Sequence, residues 1–134
     1  DTSMVHPDLR GHARWVARKA RKLSRSIFHA MALNGPKLEK KQLTMTRLVD
    51  IGVELYVMTA AMARATKLLE MNPGDRTPVQ LANHWCLRAR RKIRGTFSDL
   101  LCTADRSTMG LAKAVREGRM EWVEQGIVTG DPEV

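Results

Sequence analysis

The sequence is poor in cysteine and in the residue types that build β-sheets. Its 134 residues include two cysteines, Cys86 and Cys102, at a spacing typical of neither a metal site nor a redox motif. Aromatic residues make up 4% of the chain, while methionine and alanine are frequent. This balance favours packed helices over a β-sandwich, which uses Val, Ile, Tyr, Phe and Thr. We therefore predict an all-α protein whose cysteines are reduced and structural.

Long apolar runs are also lacking, as are the short motifs of common enzymes. No apolar segment reaches the roughly 20 residues that a transmembrane helix needs. The chain has no Gly-rich phosphate loop and no Gly-x-Ser-x-Gly turn. His84 and Cys86 stand two positions apart, on different faces of a helix, so they cannot share a metal. The sequence thus predicts no catalytic residue, no metal site and no cofactor held by this chain.

Positive charge is abundant and unevenly placed. The net charge is +9 and the isoelectric point is about 10.3. Residues 1–41 hold ten Lys and Arg against three acids, whereas residues 42–134 hold thirteen against eleven. An excess concentrated in one segment predicts an anionic partner, such as a membrane, an acidic protein or a nucleic acid. The chain starts at Asp1 with no signal-peptide pattern, and we expect it to be a fragment of a longer protein.

Hydrophobic periodicity predicts a single domain over residues 1–134, folded as a bundle of about four helices. The expected helices cover residues 9–34, 42–71, 78–101 and 107–125. The first stops at the Asn34-Gly35-Pro36 signal. The second is apolar nearly all round in its middle and should be the central helix. Thr77 is the expected N-cap of the third, with Pro78 at its first position.

The first predicted helix is amphipathic and strongly basic. Its apolar stripe runs through Leu9, Ala13, Val16, Ala20, Leu23, Ile27 and Ala30 or Met31, at helical spacing. The opposite face is cationic, with aromatic residues near its borders, as in helices that lie in a lipid headgroup layer. The candidate membrane- or partner-binding residues are Arg14, Trp15, Arg18, Lys19, Arg21, Lys22, Arg25 and Phe28. The same cations could hold nucleic-acid phosphates, or could simply be solvated.

Two further charged groups have a structural interpretation. Asp50 and Glu54 stand four residues apart on the central helix, with Arg47 and Arg64 available on the same helix. We expect these four residues to form ion pairs inside the bundle, because the Glu-x-x-His pairs of a di-iron site are missing. The basic cluster Arg88–Gly95 is typical of a solvated helix face.

Three segments together resemble a known family. They are "VHPDLR" (Val5–Arg10), "RLVDIGVELYVMTAAMARATKLL" (Arg47–Leu69) and "LANHWC" (Leu81–Cys86). They resemble the additional C-terminal domain of very-long-chain acyl-CoA dehydrogenases, including the mitochondrial paralogue of the complex I assembly factor type. The resemblance covers roughly residues 5–130 in order and is weaker in the C-terminal quarter.

The resemblance implies a non-catalytic part of a larger flavoprotein of fatty-acid β-oxidation. In that family FAD and the catalytic Glu belong to the main domain, so no residue of this chain takes a catalytic or FAD-binding role. The added helical domain packs on the dehydrogenase core and leaves a homodimer. Its first segment is a mobile amphipathic helix linked to the inner membrane or to a partner protein. The expected location is the bacterial cytoplasm or mitochondrial matrix, peripheral to the inner membrane. A free-standing helical module that binds nucleic acid stays the alternative.

Overall fold

The computed structural model describes residues 3–36, 41–100 and 104–126, and Cys102 lies outside them. The described residues form four α-helices and no strand, which confirms the all-α prediction. The helices are α1 (Arg10–Asn34), α2 (Gln42–Met71), α3 (Thr77–Asp99) and α4 (Asp105–Arg116). The chain divides into two compact units, Asp1–Leu101 and Cys102–Val134. One domain over residues 1–134 stays a prediction.

The helix ends lie at the predicted turn residues, except that the N-cap predicted for α3 is wrong. Gly35, with φ of 47°, follows the last residue of α1, as the Asn-Gly-Pro signal predicted. Thr77 is the first residue of α3 and not its N-cap. The Oδ1 atom of Asp75 accepts hydrogen bonds from the Thr77 amide (2.9 Å) and hydroxyl (2.6 Å). Asp75 therefore organises this helix start, and these bonds lower the pKa of its carboxyl.

The core of the first unit lies mainly between α2 and α3, which share the most extensive contact. Nearly all of its buried side chains recur at steps of three and four on these two helices. From α2 they are Leu48, Ile51, Leu55, Met58, Met62 and Ala65, and from α3 they are Val79, Ala82, Cys86, Ala89, Ile93 and Phe97. Because α1 also packs on α2, helix α2 occupies the central position that the sequence predicted.

The buried side of α1 differs from the predicted stripe. Its buried side chains are His12 and Trp15, while Val16 and Leu23 are only half-buried and Ala20 is exposed. The buried face is rotated toward Trp15 because α1 contributes to a core shared with α3 as well as α2. The sequence stripe marked only the side of α1 that faces α2.

The segment before α1 is held to the rest of the first unit. This segment begins with a turn, which is followed by a 3₁₀ helix, Pro7–Leu9. The side chain of Leu9 in this helix is completely buried. The amide of His6 donates to the Thr66 hydroxyl on α2 (3.1 Å). An ion pair joins Asp8 to Arg76, just before α3, at 2.6 Å. These contacts fix where α1 begins.

The second unit contains α4 and a 3₁₀ helix, Glu121–Gly126. Helix α4 starts at Asp105 and carries Lys113 and Arg116 in its last turn, where both signs suit the helix dipole. It ends at Arg116, nine residues before the predicted end near Gln125. The physical reason is Gly118, whose φ of 70° turns the chain.

Candidate anion-binding surface

Four arginines form one exposed row along α1. Arg14, Arg18, Arg21 and Arg25 follow each other at steps of four, three and four, so they lie on one side of the helix. All four side chains are exposed. Phe28 continues the same spacing at the end of the row and is 68% exposed. This arginine row places an apolar ring beside about 16 Å of helix lined with guanidinium groups.

Trp15 was predicted to be on the binding face, and this is wrong. Its side chain is only 4% exposed and belongs to the core of the first unit. Two cations cover its ring: the Lys19 Nζ atom lies 5.4 Å and the Arg90 Cζ atom 5.1 Å from the ring centroid. Trp15 is buried because a large aromatic ring fills the space between α1 and α3. Its ring supports the charged groups of Lys19 and Arg90 through cation–π contacts.

Phe97 supports two more cations in the same way. The Nζ atoms of Lys19 and Lys22 lie 5.6 Å and 4.4 Å from its ring centroid. Phe97 belongs to α3, so α3 supplies the aromatic surface and α1 the ammonium groups. Such contacts hold flexible lysine side chains in place and lower the entropy they would lose on binding an anion.

The two basic clusters of the sequence meet at the junction of α1 and α3. Burial lowers the pKa of Lys19 most, and the charges of Lys22, Arg94, Arg18 and Arg90 lower it further. We call these five residues the cationic seam. Burial also lowers the pKa of Arg90, followed by the charges of Arg94 and Arg18. The seam is therefore a site of mutual repulsion between cations contributed by two helices.

The prediction of a solvated face for the Arg88–Gly95 cluster is thus wrong for Arg90, which is half-buried, whereas Arg94 is exposed. Arg88 and Lys92 lie elsewhere on α3 and line a cavity next to Glu54 of α2. The sequence contains a signal that distinguishes Arg90 and Arg94 from Arg88 and Lys92. The residues at steps of four, three and four are Asn83, Leu87, Arg90 and Arg94. That spacing marks one edge of α3, the edge that faces α1.

His12 is the second buried residue of α1 and was not singled out in the sequence. Its Nε2 atom lies 2.8 Å from Oδ1 of Asn83, and its Nδ1 atom 3.4 Å from Nη1 of Arg90. Arginine can only donate, so Nδ1 must accept and Nε2–H donates to Asn83. This arrangement requires the neutral Nε2–H tautomer. It holds Arg90 between the His12 and Trp15 rings.

The predicted ion pairs have a different geometry. Glu54 pairs with Lys92 of α3 at 2.5 Å, a partner that the sequence did not suggest. This contact raises the pKa of Lys92, chiefly through the hydrogen bond from its ammonium group. Asp50 is exposed, so its predicted place inside the bundle is wrong. Arg47 is half-buried, and Arg64 is exposed.

A second exposed surface is apolar. Met45, Val49, Val53, Tyr56, Ala60 and Ala63 recur at helical spacing, are all exposed and form what we call the outer face of α2. Next to it, a groove of about 580 Å³ separates α2 from α3. Its lining includes Leu68, Leu81 and Trp85, and Arg64 is its one charged side chain. This surface extends across two helices, beyond the size of a single exposed side chain.

The described residues contain neither a metal-ligand cluster nor a membrane-spanning helix. Residues 3–36, 41–100 and 104–126 contain no group of three or more His, Cys, Asp or Glu side chains placed to hold a metal ion. Over the same residues, no helix has the length and apolar character to cross a membrane.

Comparison with known proteins gives consistent relatives. The chain is 39% identical over 118 residues to the probable acyl-CoA dehydrogenase FadE10 of Mycobacterium tuberculosis, covering 87% of this chain and 18% of the relative. It is 24% identical over 133 residues to the human mitochondrial very long-chain specific acyl-CoA dehydrogenase and 23% over 137 residues to the mouse enzyme. Both matches cover 98% of this chain and 20% of the relative. The chain thus spans about a fifth of the length of these relatives.

A family model describes this region of the relatives. The model of the ACAD9/ACADV C-terminal domain matches residues 7–119, from the first 3₁₀ helix through α4. The match covers the cationic seam, the arginine row and the outer face of α2. The sequence segments that suggested the resemblance lie within it or overlap it. The chain belongs to the ACAD9/ACADV C-terminal domain family.

Proposed function

We propose that this chain is the non-catalytic C-terminal domain of an acyl-CoA dehydrogenase and that it docks the enzyme on an anionic membrane. The observation that carries the proposal is the exposed arginine row continued by exposed Phe28. Each Lys or Arg near an anionic leaflet adds about 1 kcal/mol to binding, and an aromatic ring at the border can enter the headgroup layer. The membrane would be the bacterial plasma membrane or the mitochondrial inner membrane, approached from the cytoplasm or the matrix.

The mode of docking differs from insertion of the whole apolar stripe of α1. Val16 and Leu23 are half-buried against the rest of the first unit, so they are not free to enter lipid. The exposed apolar side chains of α1 are instead Ile27, Phe28, Met31 and Leu33, all in its last two turns. We therefore expect binding to depend on charge first and on this short end of the helix second.

Vesicle co-sedimentation tests the docking. Phosphatidylcholine vesicles with about 30% phosphatidylglycerol should bind the chain, and pure phosphatidylcholine vesicles should not. The double variant Arg21→Gln/Arg25→Gln should bind about thirtyfold more weakly, since two charges near the leaflet are lost. The matched control, Arg106→Gln/Arg116→Gln on α4, removes the same charge and should bind within about threefold of the unaltered chain.

Several outcomes would contradict membrane docking. They are equal binding to both vesicle types, no binding to either, or equal losses in the two double variants. If duplex DNA instead releases the chain from anionic vesicles at equal phosphate concentration, the nucleic-acid alternative gains support. Pull-down of an acidic protein without vesicle binding would favour a protein partner for the same arginines.

The outer face of α2 supports a second role, in the architecture of the parent enzyme. Val49, Val53 and Tyr56 are between 54% and 75% exposed, which is unusual for three successive turns of a central helix. We propose that this face packs on the dehydrogenase core of a homodimeric parent, the part of the relatives that this chain does not span. FAD, which such a parent would bind in its core, is assigned no residue of this chain.

The matched pair Tyr56→Lys and Glu70→Lys tests this role. Both side chains are on α2 and exposed, but Glu70 lies seven residues beyond Ala63, where the outer face ends. In the parent enzyme, Tyr56→Lys should lower the temperature at which the domain and core unfold together, because a charge would be buried at the contact. An equal effect of both variants would contradict the assignment.

A further inference from the structure

We propose that the cationic seam binds the phosphate headgroup of a single anionic lipid, whose acyl chain lies in the adjoining groove between α1 and α2. This inference rests on the proposed membrane docking and deepens it. The arginine row meets a membrane as a line of charge, whereas the seam is a defined site built by two helices. It adds Arg90 and Arg94 of α3 to a function that the sequence predicted for α1 alone.

The seam is organised before any ligand arrives. Lys19 and Lys22 share the Phe97 ring, and Lys19 and Arg90 share the Trp15 ring. The charged groups themselves lie over the ring faces, so their positions are already restricted before an anion binds. A phosphate oxygen takes several such donors at once, and guanidinium groups match it in two-point fashion. The ordering cost of binding is correspondingly small.

The charge of the seam is not balanced by carboxylates in the described part of the chain. The ion pairs seen in the first unit use Asp8 with Arg76, Glu54 with Lys92 and Glu70 with Lys67. None of these pairs includes a seam residue. Burial lowers the pKa values of Lys19 and Arg90 most, and the repulsion of the cations around each group lowers them further. An anion with two negative charges would relieve this repulsion directly.

A groove next to the seam favours a lipid over a free phosphate. It measures about 470 Å³. Its lining includes Lys22, which belongs to the seam, and Phe97, whose ring supports Lys22. Leu33, Leu48 and Leu100 supply apolar walls. The lining also includes the polar side chains of Ser26, His29, Asn34, Lys41 and Thr44. A cationic cluster that leads into a groove with apolar walls matches a molecule with a charged head and a hydrocarbon chain. An inorganic phosphate would use only the first of these two features.

Titration with short-chain lipids below their micelle concentration tests the site without a membrane. The probe is dihexanoyl phosphatidic acid, compared with glycerol 3-phosphate and with zwitterionic dihexanoyl phosphatidylcholine. Trp15 reports binding through its fluorescence in a Trp85→Phe/Trp122→Phe background, because Lys19 and Arg90 lie on its ring. We expect dihexanoyl phosphatidic acid to bind at least tenfold more tightly than either comparison ligand.

A matched pair of α3 variants locates the site. Arg94→Gln should weaken dihexanoyl phosphatidic acid about fivefold, the effect of one cation at an anionic headgroup. Arg88→Gln removes the same charge from the side of α3 that lines the cavity near Glu54, and should stay within about twofold. Both arginines are exposed, so folding is preserved. Leu33→Ser, at an 85% exposed position, should weaken the lipid and leave glycerol 3-phosphate unchanged.

Three results would overturn the inference. Equal losses from Arg94→Gln and Arg88→Gln would mean a diffuse field and no defined site. Equal affinity for glycerol 3-phosphate and dihexanoyl phosphatidic acid would remove the lipid assignment. Failure of the docking proposal is distinguishable, because it shows as absent vesicle binding while soluble lipid still binds the seam. Vesicle binding that persists unchanged in Arg94→Gln, without any binding of soluble lipid, would sink the inference and leave docking intact.

Discussion

Cys86 shows how burial alone controls the chemistry of one residue. Its side chain is completely inaccessible in the core between α2 and α3. Burial raises the pKa of its thiol from 9.0 to about 11, although the nearby charge of Arg90 acts in the opposite direction. The thiolate is the reactive form, so at pH 8 only about a thousandth of the thiol is available for reaction. The predicted structural role of this cysteine agrees with its position.

Thiol labelling checks this. In a Cys102→Ser variant at pH 8, Cys86 should react with a disulfide reagent at least a hundredfold more slowly in the folded chain than in urea. Because the folded pKa lies above the unfolded one, the unfolded state loses its proton first as pH rises. The contribution of Cys86 to stability is therefore full below pH 9 and is lost between pH 9 and 11. Fast stoichiometric labelling of the folded chain would contradict this burial.

At the scale of the element, α2 is a helix with two apolar faces. One face is buried through Met58 and its neighbours, and the other is the outer face, exposed at Val53 and Tyr56. A sequence pattern that is apolar all round predicts a covered helix, and that prediction identified α2 as central. The pattern does not tell which apolar face packs against this chain and which packs against another part of the parent.

Substitutions on the two faces should have opposite consequences for folding. Met58→Ala removes a fully buried side chain and should lower the free energy of unfolding by about 2–5 kcal/mol. Tyr56→Ala, two positions away and 75% exposed, should change it by less than about 0.5 kcal/mol. Urea unfolding followed by circular dichroism measures both. A comparable loss in Tyr56→Ala would show that something in this chain covers the outer face.

The elements were more predictable than the site. The bounds of α2 match the expected 42–71, because long apolar periodicity and breakers such as Asn72-Pro73-Gly74 depend only on local sequence. Trp15 was misplaced because its burial depends on α3, which lies about 70 residues along the chain. Arg90 was interpreted as solvated for the same reason. Contacts between helices decide which cations share a surface, and helical spacing within α1 cannot supply them.

For the molecule as a whole, a net charge of +9 coexists with an exposed apolar face. At low salt, repulsion between like-charged copies opposes their association. The Debye length falls from about 30 Å at 0.01 M salt to about 3 Å at 1 M, so this repulsion is screened while apolar attraction persists. Solubility of the isolated chain should therefore depend strongly on ionic strength.

Sedimentation velocity at two salt concentrations tests this dependence. The chain should be monomeric near 0.02 M salt and should self-associate near 0.5 M, with a sedimentation coefficient that rises with protein concentration. Val53→Lys/Tyr56→Lys should suppress the association because it places charge on the outer face of α2. Arg106→Lys/Arg116→Lys, which keeps the charge of α4, should associate like the unaltered chain. Salt-independent behaviour in the unaltered chain would contradict the prediction.

The position of Trp15 beneath Lys19 and Arg90 has a consequence for how this domain can change. The same ring fills the core and supports the charged surface, so a substitution chosen to alter ligand affinity also alters folding. His12 adds to this link, since it is buried and bonded to Arg90. Arg14, Arg21 and Arg25 of the arginine row lie outside the seam and can gain or lose charge at little structural cost. Strength of membrane attachment can thus evolve at these three arginines independently, while Lys19 and Arg90 of the seam are tied to the fold through Trp15.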